Sequence, residues 1–457
     1  MSKKLKRTIS LILTLVMLTT ITAGCGSSET SKPAEAEKEK VTLKFMYFGS
    51  TIEKDVIANM VKKYMDTHPN VIIEAIHVPD DNYDTKMSTL VASDTAPDIA
   101  YCNEQQTFDY AQQGKILDLN PYFEKDTSIK PEDRFDQGKY YIGSKLIGMN
   151  TAMESIMLFY NKETFEKEGI ELPPAEVGKA WTWDKFVEVA KKLTVDKNGK
   201  HPDDPGFDPE NIIQYGCTVS TYWTYFYPFV LSNGGSVASE DGKTPMVDKP
   251  EFYEAVQRVA DLMNKYHVAP NPAQRKSMPG TVTALQTGQV AMAVAGQWSI
   301  LDFNASKVPF GIGVLPKINK PVTIGFGAPT VIFASTKHPE EAWDFYKYHN
   351  SVETATELFA NGLWMPMEKQ YYEKQELLDK WVKNDAHPQE YKTAVVDAFL
   401  NSSEQPPVYY LKNWGKITET MSAALDSVWM GKESAQSACQ KLQEQLTPMI
   451  QGRYDEK

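Results

Sequence analysis

The chain has 457 residues, and its 60 acidic against 48 basic side chains give a formal net charge of −12. That balance excludes the classes that need a broad basic face, nucleic-acid binding and docking on an anionic lipid surface. At this length about two or three domains are expected, with a core large enough to need no staples.

The first element is an export signal. MSKKLKR is followed by a run from Ile9 to Ile21 built only of apolar residues, Ser and Thr, too short to span a bilayer comfortably. It ends at Thr22-Ala23-Gly24 before Cys25, which resembles the bacterial lipobox, although Thr22 stands where Leu is usual. The expectation is cleavage after residue 24 and a lipid on Cys25. Losing the four positive charges of Lys3, Lys4, Lys6 and Arg7 then takes the net charge from −12 to −16. Residues 26–40, GSSETSKPAEAEKEK, have the polar composition of an unfolded tether.

From residue 41 the pattern changes. VTLKFMYF alternates and reads as a strand ending at Gly49-Ser50. A helical face through Val56, Ile57, Met60, Val61 and Tyr64 follows, and then NVIIEAIHV reads as a second strand. Strand, helix, strand predicts a parallel sheet with crossover helices. A helix near Tyr83 to Ala92, a short strand at Asp98 to Cys102 and a helix closed by Gly114 continue it. Later come a buried strand SIMLFY and the helix of AWTWDKFVEVAKKLT. There Thr182 can cap, Asp184 occupies the first turn, Lys191 and Lys192 occupy the last, and Phe186, Val189, Ala190 and Leu193 form one stripe. Residues 196–209 read as a polar loop; DKNG echoes the start of a calcium loop but lacks its acidic closure, so an ordinary turn is expected. ALQTGQVAMAVAGQW passes from helix to a strand of small residues, and TVIFASTKHPEEAWDFYKYH from strand to a helix with Pro339 at its first position.

Cys102, Cys217 and Cys439 are far apart, so neither a disulfide framework nor a zinc site is signalled. The seven histidines show no ligand spacing, and GxSxG, HExxH and GxxxxGK[ST] are all absent. No cofactor and no metal are expected.

Five segments in order resemble the extracellular solute-binding lipoproteins of ABC importers, in the sugar-binding branch of the maltodextrin-binding type. They are TAPDIAYCNEQQTFDYAQQGKILDL, ESIMLFYNKETFEKEGI, TWDKFVEVAKKL, ALQTGQVAMAVAGQW and FASTKHPEEAWDFYKYH. The resemblance implies an α/β fold of the two-lobe periplasmic-binding-protein type (type II), with crossing hinge strands and a ligand cleft between the lobes. Lobe 1 is expected at 41–152 plus 286–335, and lobe 2 at 153–285 plus 336–457.

The same resemblance implies sites. Glu154 falls where the family has a sugar-contacting glutamate at the lobe crossing; a lone charge in an apolar strand is costly unless it is paired or used. Trp298 falls where a tryptophan stacks on sugar. Tyr222 and Trp223, in a run with Tyr225, Phe226 and Tyr227, fall among ligand contacts, although helical periodicity buries about half such a run. Asn103, Glu104 and Gln105 follow a strand end where polar contacts are expected, and Cys102 and Gln105 depart from the family's aromatic and aspartate. Trp364 and Trp414 are candidates for an aromatic wall, with core packing the alternative.

The expected protein is therefore a monomeric, lipid-anchored receptor on the outer face of the cell membrane that hands a carbohydrate to the permease subunits of an ABC importer. Peptide or polyamine ligands and a surface glycosidase are the alternatives. A glycosidase needs two carboxylates facing each other across a bond, and few Arg residues argue against phosphorylated ligands.

Overall fold

In a computed structural model the structure describes residues 39–306 and 309–456. The expected signal segment, Cys25 and nearly all of the tether lie outside the described residues. The folded unit runs from Lys40 to the end of the chain. Among the described residues no helix is long and apolar enough to cross a membrane.

The strands, in chain order, are β1 (Val41–Tyr47), β2 (Val71–His77), β3 (Ile99–Tyr101), β4 (Lys139–Ile142), β5 (Lys145–Asn150), β6 (Glu154–Asn161), β7 (Val195–Asp196), β8 (Ile212–Thr218), β9 (Val290–Gly296), β10 (Phe310–Gly313), β11 (Thr323–Phe326), β12 (Pro329–Ile332) and β13 (Ser403–Glu404). They make two sheets. The first has the order β2-β1-β3-β12-β5-β4, and the second runs β13-β11-β6-β9-β8-β7 with β10 against β6. β1 is parallel to β2 and β3, as the strand–helix–strand pattern predicts, and β8 is parallel to β9. Strands β6 and β9 are buried along almost their whole length, which explains why their sequences are continuous apolar runs with no alternation.

The chain passes from the first sheet to the second at residues 151–153, between β5 and β6, and returns at 327–328, between β11 and β12. The two passages press together: a Cβ on Gly327 would fall 2.4 Å from the Ala152 carbonyl oxygen. The expected lobe limits are corrected at two places. The span 286–335 was assigned to lobe 1, yet β9, β10 and β11 all belong to the second sheet, because β6 takes all three as antiparallel neighbours. The span 336–457 was assigned to lobe 2, yet the Pro339–His349 helix packs back on β1 and β12 of the first sheet. A helix that follows a strand through a short turn covers the sheet that the strand belongs to. The C-terminal helices Trp414–Trp429 and Ala435–Leu446 pack against the Pro250–Asn264 helix on the second lobe.

Local chemistry agrees with the sequence at the caps. Thr182 accepts from the Lys185 N–H at 3.2 Å, and Asn161 from the Thr164 N–H at 3.1 Å. Asp196 spends its carboxylate on the N–H groups of Asn198, Lys200 and Asp208, at 2.8, 2.8 and 2.9 Å, which makes the 196–209 loop a self-satisfied polar turn. Cys102, Cys217 and Cys439 are free and buried.

Candidate functional site

A cleft of about 470 Å³ opens where the two sheets face each other. From the first lobe, Phe48, Gly49 and Ser50 follow the end of β1, and Tyr101, Asn103 and Glu104 the end of β3. From the second lobe, Tyr222 to Tyr225 follow β8, and Trp298, Leu301 and Asp302 follow β9. The two passages supply Thr151, Ala152, Gly327 and Ala328, the start of β6 supplies Glu154, and Trp364 closes one side. Loops beyond the carboxyl ends of parallel strands are where open α/β sheets bind ligands, since the following helices begin there and leave unpaired N–H groups.

Seven of the nine predicted site residues line this cleft: Glu154, Trp298, Tyr222, Trp223, Asn103, Glu104 and Trp364. A second cavity of about 620 Å³ shares Asn103, Glu104, Tyr222 and Trp223 with it and adds Gln105 and Trp414. Those last two are held by the protein itself. The Gln105 carboxamide accepts the Gly415 N–H at 2.9 Å and donates to Asp109 at 2.7 Å, so it fastens the Glu104–Gln112 helix to the C-terminal segment. Trp414 is 2% exposed and meets Trp223 edge-on at 5.1 Å between ring centroids. Asn103 also serves locally, its Oδ1 capping the helix through the Gln106 N–H at 2.7 Å.

The aromatic run divides as helical periodicity predicts. Trp223, Phe226 and Tyr227 are buried in the Trp223–Ser232 helix, whereas Tyr222, just before it, is 61% exposed at the cleft mouth. Trp298 lies across Gly296: three of its ring atoms occupy positions 2.1–2.2 Å from where a Cβ on residue 296 would sit. It also meets Phe326 edge-on at 5.7 Å. Beside it, the buried Gln297 donates to the Gly362 carbonyl at 2.6 Å, which links the backbones that carry Trp298 and Trp364.

Sequence reasoning missed Glu53, Tyr101, Asp302 and Gln297. A signal for Glu53 existed in Ser50-x-x-Glu53, a capping-box spacing right after a strand. Glu53 is buried, and its carboxyl group overlies Gly49, whose φ of +134° and missing Cβ make room for it. Tyr101 and Asp302 carried no local signal.

Four carboxyl groups line the cleft, from Glu53, Glu104, Glu154 and Asp302, and among the described lining residues of both cavities there is no Lys, Arg or His. Burial pushes the Glu104 carboxyl up to about 7, and it raises Asp302 in the same way. A carboxyl whose folded pKa lies above its unfolded value binds its proton more tightly in the folded protein. Stability is therefore gained as pH falls from about 7 towards the unfolded value of 4.5, and lost as pH rises through that window. Glu104→Gln removes this dependence, so its melting temperature should exceed that of the native chain at pH 8, with the gap shrinking steadily to pH 5. A gap that does not change with pH would show that Glu104 titrates normally.

Two α/β lobes joined by adjacent passages, with an aromatic and carboxyl-lined cleft between them, define the class of bilobal solute receptors. Within that class the chain belongs to the bacterial extracellular solute-binding protein family, whose pattern matches residues 49–356. It is 21% identical over 437 residues to the arabinooligosaccharide-binding protein of Bacillus subtilis, covering 92% of this chain and 94% of that one. Among solved structures, an ABC substrate-binding protein of Listeria monocytogenes in complex with cycloalternan is 25% identical, with a TM-score of 0.78 over 90% of this chain and 99% of that one. The maltose/maltodextrin-binding domain of Bdellovibrio bacteriovorus bound to maltotriose is 20% identical, with a TM-score of 0.71 over 90% of this chain and all of that one.

Proposed function

We propose that the protein is the substrate-binding component of an ABC importer, and that it captures an oligosaccharide in the cleft between its lobes and delivers it to the permease. The observation that carries this reading is the lining: Trp298, Trp223, Tyr222 and Trp364 offer apolar faces for sugar C–H groups, and Glu53, Glu104, Glu154 and Asp302 offer acceptors for hydroxyls. Hydroxyls that leave water need such partners, because an unpaired buried one costs about 1–3 kcal/mol. The names of the relatives, which bind arabinooligosaccharide, cycloalternan and maltotriose, support a ligand of several rings. The continuity of the cleft with the second cavity gives those rings room.

In this reading Glu154, Glu104 and Asn103 make polar contacts, Trp298, Tyr222, Trp223 and Trp364 make stacking contacts, and Gln105 and Trp414 hold the wall in place. The lobes close on the ligand by bending at 151–153 and 327–328, the hinge motion of two domains around a site. The protein binds without cleaving and works as a monomer on the outer face of the cell, moored by a lipid on Cys25. Mass spectrometry of the native N-terminus tests the mooring, and an unmodified Cys25 makes the receptor a secreted one.

The ligand is tested by a thermal-shift panel of arabinotriose, maltotriose, cycloalternan, their uronate counterparts and spermidine. A ligand at 100 times its dissociation constant stabilises by about 2.7 kcal/mol. At least one neutral oligosaccharide should raise the melting point while the uronates leave it unchanged, because a carboxylate ligand entering the cleft meets four carboxyl groups among its described lining residues. The acidic lining also favours a second reading, a polyamine ligand. A shift with spermidine alone would establish that reading and overturn the sugar one.

A further inference from the structure

Tyr101 stands at the carboxyl end of β3, with its ring in the cleft wall and its hydroxyl 3.0 Å from Nε2 of His349. His349 is the last residue of the Pro339–His349 helix, which covers the far side of the first sheet, and it is completely buried. Its ring is packed by Phe45, edge-on at 4.9 Å, and by Phe345 at 6.0 Å. Nδ1 is buried and has no hydrogen-bond partner among the described residues. No part of His349 reaches the cleft.

An imidazole in such a place is neutral, and burial lowers this one to about 3. It then carries one proton, on one of two nitrogens. With the proton on Nδ1, an N–H donor is orphaned in an apolar pocket, and Nε2 must accept the Tyr101 hydroxyl proton. With the proton on Nε2, the orphan is a lone pair and Nε2–H donates to the Tyr101 oxygen. Orphaned buried N–H groups are rarer than under-used acceptors, which favours the second arrangement. Its consequence falls on Tyr101, whose hydroxyl proton is then not committed to the histidine, while the ring that carries it lines the cleft wall.

We propose that His349 is a positioning residue that fixes Tyr101 as a hydrogen-bond donor to the ligand, and so selects a sugar oxygen able to accept, such as a ring or glycosidic oxygen, at that point of the cleft. This rests on the reading of the cleft as the sugar site. It adds a direction to the hydrogen bond, which neither the sequence nor the lining alone contains. It also explains why a polar ring is kept in a core of phenylalanines, where a third Phe would fill the space without leaving an unpaired nitrogen.

The direct test is nitrogen-15 NMR of the side chains in the unliganded native protein, since long-range proton–nitrogen couplings distinguish the two neutral tautomers. The expected result for His349 is the Nε2–H form, and the Nδ1–H form would overturn the proposal without touching the sugar reading. The second test is calorimetry with whichever of maltotriose and arabinotriose the native protein binds. Tyr101→Phe should weaken binding about ten-fold, the order expected for one hydrogen bond, and His349→Phe should weaken it less. The double variant should be no worse than Tyr101→Phe, because the histidine acts only through that hydroxyl. Unchanged affinity in Tyr101→Phe, or additive losses, would overturn the proposal. If His349→Phe fails to fold, the tautomer and Tyr101→Phe still decide it. If no neutral oligosaccharide of the panel binds the native protein, the sugar reading falls, and the tautomer still decides the part played by His349.

Discussion

Trp298→Ala is expected to weaken oligosaccharide binding about 30- to 100-fold while leaving the protein folded. Trp298 is half-buried and lines the cleft, and among the described residues its one ring partner is Phe326, met edge-on. Central aromatic residues of this kind carry about 2 kcal/mol or more of binding energy, and 1.4 kcal/mol is a factor of ten in affinity. Gly296→Ala makes the same prediction by another route. Its new methyl group would land 2.1 Å from the ring, so the ring must leave its place while every ligand-facing side chain stays in the sequence. Calorimetry with the best sugar of the panel, beside a thermal melt, checks both. Native affinity in Trp298→Ala would make this tryptophan a packing residue and move the stacking role to Trp223 and Trp364.

Gly216→Ala is expected to cost about 3 kcal/mol of stability, the upper part of the range for overpacking a tight interface. Gly216 lies in β8 beneath the Trp183–Leu193 helix, and a Cβ there would sit 1.9 Å from the Ala190 carbonyl oxygen and 2.7 Å from the Ala190 Cα. Those are backbone atoms, so no side chain can swing aside. The helix itself would have to lift off the sheet and separate Phe186, Val189, Ala190 and Leu193 from the core. Two hydrogen bonds hold the same contact: the Gly216 N–H donates to Thr194 Oγ1 at 2.9 Å, and that hydroxyl donates to the Ala190 carbonyl at 2.8 Å. Denaturant unfolding of the variant beside the native chain measures the loss. A change below about 0.5 kcal/mol, the scale of ordinary surface substitutions, would mean that the helix is not seated on Gly216 as the structure has it.

The two predictions differ in what the sequence reveals of them. Trp298 entered through the resemblance, which puts a tryptophan after the strand of small residues, and its ring lying over Gly296 is what the structure adds. Gly216 was not legible. Nothing in QYGCT says that the Trp183–Leu193 helix crosses that residue and no other, because the crossing point depends on how two elements dock.

The same division runs through the site. Asn103 and Glu104 were readable as candidates because they follow a strand end, a place with a known use in parallel sheets, whereas Tyr222 and Trp223 entered through the resemblance alone. Gln105 and Trp414 were readable only as candidates. Both are polar or aromatic residues near the right loops, and what separates a wall support from a ligand contact is a partner far away in the chain, Gly415 for Gln105 and Trp223 for Trp414. Tyr101 and Asp302 left no trace in the sequence, because neither residue type is unusual at a strand end or in a first helical turn.

By itself, then, the sequence determined the strand and helix order, the helix caps, the acidic and aromatic balance and the resemblance to a sugar receptor. All of these depend on neighbours within a few turns or on ordered segments. The tertiary structure alone decided that β9 to β11 join the second sheet, that the Pro339–His349 helix returns to the first, and that four carboxyl groups meet in one cleft with no cation among its described lining residues. Sheet membership and the meeting of distant side chains are set by which apolar faces bury each other. Alternating or continuous hydrophobicity marks a face as buried without naming the face that covers it.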